Sequence, residues 1–126
     1  MNKALLIMAH GSRSDVANDE FRQLVAKVAL NNSQYSVVLP CFLELAAPSL
    51  MAAMQQVDNQ PVEQVDLYPL FFNRGKHVGR DIPHQVAQAQ QQYPHLPIQL
   101  LDYFGQADAL PELLLSHISQ QTSGHS

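Results

Sequence analysis

Two histidines in this sequence stand among glycines and cations. His10 lies in the run Ala-His-Gly-Ser-Arg at 9–13, and His77 in Arg-Gly-Lys-His-Val-Gly-Arg at 74–80. Gly11 lets the chain turn sharply and keeps a side chain away from the neighbouring imidazole. Two imidazoles brought together bind a divalent transition metal or take up protons near neutral pH. Two ligands alone make a weak, open site, which suits a metal in transit; structural metals are usually held by four protein ligands. Glu44 can add a carboxylate to the pair or act as a base. Each residue also has a plainer explanation. His10 can satisfy a backbone carbonyl at a strand end, and His77 and Glu44 can be solvated loop residues.

The cations point the same way. Only seven Lys and Arg residues occur, and four of them (Arg13, Arg74, Lys76 and Arg80) fall in the two histidine loops. In a chain of net charge -4, cations gathered beside two imidazoles suit a small anionic ligand and argue against a nucleic-acid partner. Ser12 can touch that ligand or cap the helix that follows, and Asp81 reads as a helix cap. His84, His95, His117 and His125 lack such surroundings. Cys41 reads as a small buried residue.

The elements that position these residues follow from periodicity. Residues 4–9 are a continuous apolar run, expected as a strand buried on both faces. A helix follows, capped by Ser12 or Ser14, with Val16, Phe21, Leu24, Val25, Val28 and Ala29 inward. Residues 35–42 form a second strand, placed at an edge or strand end by Pro40. After a loop at 44–48 comes a helix over 49–57, with Leu50, Met51, Met54 and Val57 inward. The third strand lies within 62–72. The third helix spans about 81–92, with Pro83 in its first turn and a solvated glutamine run at 88–92. A fourth strand is expected over 98–104 and a last helix over about 110–120. Residues 1–121 are therefore expected as one α/β domain and 122–126 as a disordered tail.

Four consecutive βα units predict a four-stranded parallel sheet, order 2-1-3-4, with helices on both faces. Strands 1 and 3 then flank the topological switch point, where this architecture binds ligands. The loops leaving those strands contain His10 and His77, and Glu44 follows strand 2 on the same edge.

With 126 residues, 46% hydrophobic and 14% charged, the chain suits one globular core. No window approaches the roughly 18 apolar residues of a membrane span, and no secretory signal is apparent. The single cysteine excludes an internal disulfide and fits a reducing cytoplasm. Walker, dinucleotide-binding and nucleophile-elbow motifs are all absent.

Taken together, L-I-M-A-H-G-S-R at 6–13, F-L-E at 42–44 with Pro48, and P-L-F-F-N-R-G-K-H-V at 69–78 closing on D-I-P at 81–83 resemble the short CbiX-type class II chelatases. These enzymes insert a divalent metal into sirohydrochlorin on the way to cobalamin or sirohaem. The resemblance implies a chelatase-like half-domain that pairs as a homodimer. It implies His10 and His77 as the metal-binding and proton-accepting pair and Glu44 as the acidic position of the second loop. Sirohydrochlorin or a related anionic tetrapyrrole is the expected partner, held by Ser12, Arg13, Arg74, Lys76 and Arg80. Co2+, Fe2+ or Ni2+ is the expected metal substrate, with no tightly bound cofactor. A metal carrier or tetrapyrrole-binding protein using the same site is the alternative reading. A third is a partner domain whose histidines are incidental.

Overall fold

In the computed structural model, which describes residues 2–123, four parallel strands form one sheet in the order β2-β1-β3-β4, as the sequence predicts. The strands are β1 (Lys3–Ala9), β2 (Val37–Phe42), β3 (Gln64–Pro69) and β4 (Ile98–Leu100). β1 lies between β2 and β3 and is apolar on both faces. Leu6, Met8 and Ala4 point into one core cluster and Ile7 into another. Pro40 sits in β2, an edge strand, where a missing N–H costs no ladder bond on the open side.

The helices are α1 (Asp15–Asn31), α2 (Leu50–Asp58), α3 (Ile82–Gln92) and α4 (Leu110–Ser123). α2 and α3 cover one face of the sheet, burying Leu50, Met54, Val57, Ile82 and Ala89 against Leu6, Met8, Val65 and Leu67. Cys41 is fully buried in that cluster, and burial pushes its thiol up to about 12. α1 covers part of the other face, where Phe21 and Val25 meet Ile7 and Phe42.

Several expectations are corrected. Ser14 caps α1 by accepting from the Ala17 N–H. Ser12 does not cap it. Val16, Leu24 and Val28, expected inward, are exposed, as is Met51 on α2. Asn18 is buried on α1 instead. The third helix does not begin at Asp81. The chain is already helical from residue 75, and His77–Asp81 is a π-helical turn leading directly into α3. Asp81 has helical dihedrals and makes no capping bond. In the widened turn the Ile82 N–H bonds the His77 carbonyl, five residues back. Pro83, which has no N–H to give, follows at once.

Gln90 is not part of a solvated run. Its amide donates to the Tyr93 and Leu96 carbonyls and accepts from the Ile98 N–H, stapling α3 to β4. β4 stops at Leu100, opposite Leu67 of β3, rather than at residue 104. His84, His95 and His117 are all exposed, and His95 Nε2 lies 2.6 Å from Asp58 Oδ1. The last helix runs on through Thr122 to Ser123; the rest of the expected tail, His125 included, lies outside the described residues.

α4 differs from the other helices in burying none of its residues. Leu113, Leu114, Leu115 and Ile118 are each more than half exposed. Between α1 and α4, the uncovered part of the sheet forms an open apolar groove of about 710 Å³, lined by residues that include Tyr68, Leu70, Phe72, Leu101 and Phe104.

Candidate metal and substrate site

The ladder of the sheet continues past the strand ends and binds three loops together. The Leu70 N–H donates to the Met8 carbonyl, Leu43 to Ala9, and Glu44 to His10, at 2.8 to 3.0 Å. The last contact explains Gly11. Its φ is +98°, and a Cβ there would lie 1.7 Å from the Glu44 carbonyl oxygen. Only glycine lets the His10 loop lie against the Glu44 loop. Gly105 works in the same way one strand further on, where a Cβ would meet the Phe72 carbonyl oxygen at 1.7 Å.

His10, Glu44 and His77 converge at these strand ends. One candidate ligand atom from each lies within 4.8 Å of the others. The imidazole centroids are 4.7 Å apart, with ring planes at 63°. Phe71 sets its ring edge-on to His10, 6.5 Å away.

Hydrogen bonding orients both rings. His10 Nδ1 lies 2.8 Å from the Gly11 carbonyl oxygen. A carbonyl only accepts, so Nδ1 carries the proton and Nε2 is left for other work. His10 Nε2 lies 3.0 Å from Glu44 Oε2, a distance that requires a proton on one of the two atoms. A metal ion arriving there would displace that proton. His77 Nδ1 lies 2.8 Å from Asp81 Oδ2. This hydrogen bond is the main cause holding the Asp81 carboxyl below the usual range; desolvation opposes it, and Lys76 and Arg80 add to it.

The half-exposed Glu44 and both histidines face solvent, so the cluster is open to a large ligand. Three donors of mixed N and O type leave coordination positions free for a second partner.

The four cations belong to the segments that leave β1 and β3 at this same sheet end. Arg13, Arg74, Lys76 and Arg80 are all exposed. Arg80 Nε is 3.8 Å from Asp81; the other three make no ion pair among the described residues. The Arg74 side chain lies over Gly79, its Nε 3.3 Å from where a Cβ would sit. Ser12 belongs to the loop framework. Its N–H donates to Asn18 Oδ1, its carbonyl accepts from Asn18 Nδ2, and its Oγ accepts from the Ser14 N–H.

Two residues that position the site were missed. Asn18, from α1, pins the loop after His10, and Asp81 orients His77. A buried asparagine on an otherwise apolar helix face was the available signal for the first. For the second it was a carboxylate four residues after a histidine, one helical turn away.

The sequence model described as CbiX matches residues 4–121. Among curated relatives, the sirohydrochlorin ferrochelatase of Priestia megaterium is 24% identical over 117 residues, covering 93% of this chain and 44% of its own length. The chain thus spans less than half of that relative. A CbiX protein from Marinobacter aquaeolei VT8 superposes with a TM-score of 0.86 at 22% identity, covering 99% of this chain and 98% of that one. The sirohydrochlorin chelatase SirB from Bacillus subtilis subspecies spizizenii, solved in complex with cobalt, superposes with a TM-score of 0.85 at 24% identity. It covers 95% of this chain, which corresponds to 51% of SirB.

Proposed function

The chain belongs to the CbiX family, and from that membership and the site geometry we propose that it inserts Co2+ or Fe2+ into sirohydrochlorin. The observation that carries this reading is the convergence of His10, Glu44 and His77 at an open end of the sheet. The metal is a substrate, so weak coordination is an advantage. His10 and His77 hold the ion above the macrocycle without trapping it, and the tetrapyrrole nitrogens complete its coordination. Insertion displaces two pyrrole protons. The Glu44 carboxylate beside His10 Nε2 can take one of them, and an imidazole Nε2 released as the metal enters the ring can take the other. Arg13, Arg74, Lys76 and Arg80 would hold the substrate carboxylates, and Ser12 with its Asn18 anchor would fix the loop that presents Arg13. Imidazole ligands suit Ni2+ as well.

A homodimer is part of the proposal. The exposed apolar side of α4 and the neighbouring groove lack a covering layer, and SirB is about twice the length of the matched region. A second copy supplies both. Among the described residues no helix is long and apolar enough to cross a membrane.

The test is an anaerobic absorbance assay of sirohydrochlorin with Co2+ and then Fe2+. The wild type is expected to convert the free ring to the metallated ring well above the uncatalysed rate. Metal binding without conversion would instead favour a carrier.

A further inference from the structure

His10 and His77 share a feature that ligand identity alone does not require: in each, Nδ1 is held by a protein acceptor, which leaves Nε2 as the nitrogen for a metal, and the contact of His10 Nε2 with Glu44 Oε2 at 3.0 Å is one that a metal would displace. For His10 the partner is a backbone carbonyl, supplied by Gly11 at 2.8 Å. For His77 it is a side chain, the Asp81 carboxylate, also at 2.8 Å. Asp81 follows the cations Lys76 and Arg80 in sequence, yet its closest polar contact is the imidazole; Arg80 stands off at 3.8 Å. It makes no helix-capping bond that would explain its place. The π-helical turn spans these two residues, His77 at its start and Asp81 at its end. It fixes them on one helix face, and such turns recur at functional sites.

We infer that Asp81 is a positioning residue that holds His77 in the Nδ1–H tautomer and aims its Nε2 at the metal. The inference rests on the proposed metal site. A carboxylate accepting from the far nitrogen of a metal-binding imidazole fixes the ring and strengthens its donor nitrogen; removing such a partner typically weakens metal binding by about 10- to 100-fold. Without Asp81, His77 would be free to turn or to carry its proton on Nε2, which cannot then coordinate.

The experiment has two readouts, neither of which needs turnover. The first is the tautomer of His77 in metal-free protein, read from long-range 1H–15N NMR correlations of the six histidines and assigned with His77→Ala. The second is Co2+ affinity, from titration with the metal alone, in the wild type, Asp81→Ala, Asp81→Asn and His77→Ala. Thermal melting of each variant checks that it folds. The wild type should show the Nδ1–H form, and Asp81→Ala a mixture with roughly 10- to 100-fold weaker Co2+ binding. Asp81→Asn, which keeps an acceptor oxygen, should fall between. An Nε2–H tautomer in the wild type overturns the inference. So does wild-type Co2+ affinity in Asp81→Ala when His77→Ala is weakened, a result that leaves the metal site standing. Wild-type affinity in His77→Ala removes the metal site itself, and the role of Asp81 with it.

Discussion

The two arms of the site are built by different means. The His10 arm is held by backbone: Gly11 lies against the Glu44 carbonyl, the Glu44 N–H bonds the His10 carbonyl, and the ring is tied to the Gly11 carbonyl. The His77 arm is held by a side chain on a helical turn, through Asp81. A backbone-built arm tolerates no added atoms, whereas a side-chain-built arm can be weakened in steps. Variants at the two arms should therefore fail differently.

The largest difference is expected between two glycines of positive φ. Gly11→Ala would strain the backbone at φ +98° and drive a Cβ into the Glu44 carbonyl at 1.7 Å, while Gly75 has φ +44° and nothing within 4 Å. Gly75→Ala should cost no more than about 1–2 kcal/mol, the ordinary cost of a left-handed residue. Gly11→Ala should cost more and should separate the His10 and Glu44 loops. Chemical denaturation of both variants, with Co2+ titration, measures the contrast; equal losses would break it.

Next comes Asn18→Ala. It removes both bonds that pin the Ser12 backbone and leaves half-buried groups unpaired, at about 1–3 kcal/mol. Metal affinity should fall through the His10 arm while the His77 tautomer stays as in the wild type. An unchanged Co2+ affinity would mean that Asn18 serves the fold alone.

The smallest effect lies away from both arms. Burial, followed by the hydrogen bond and charge of Asp66, raises the Tyr35 hydroxyl from 10.0 to about 12. A raised folded value means that the stabilisation is complete below pH 10 and is lost as pH climbs towards 12. Tyr35→Phe should flatten the alkaline limb of the stability curve by a fraction of the ~1 kcal/mol of a typical hydrogen bond. Co2+ binding should not change; if it did, the two arms would not be locally determined.

The backbone arm was the more legible in sequence. An apolar run ending in His10-Gly11, and a second strand ending before Glu44, place both residues at strand ends once the order 2-1-3-4 is assumed, and the sheet has that order. His77 was placed at the same edge, but as a loop residue. Glycines at 75 and 79 and the proline at 83 hid a helix that begins at the first of them and absorbs the proline by widening one turn. Asp81 was misread as a cap for that reason. The covering of the second sheet face was least legible. Apolar spacing predicted inward faces for Val16, Leu24 and Val28, but periodicity marks an apolar stripe without saying what covers it. In the described chain Leu24 and Val28 line an open groove.

The most direct measurement is a crystal structure of the protein soaked with Co2+, with anomalous diffraction collected at the cobalt edge. One peak is expected about 2.1 Å from His10 Nε2 and His77 Nε2 and in reach of the Glu44 carboxylate. Asp81 should still accept from His77 Nδ1. A cobalt ion bound elsewhere, or coordinated through His77 Nδ1 with Asp81 displaced, would overturn the proposed site.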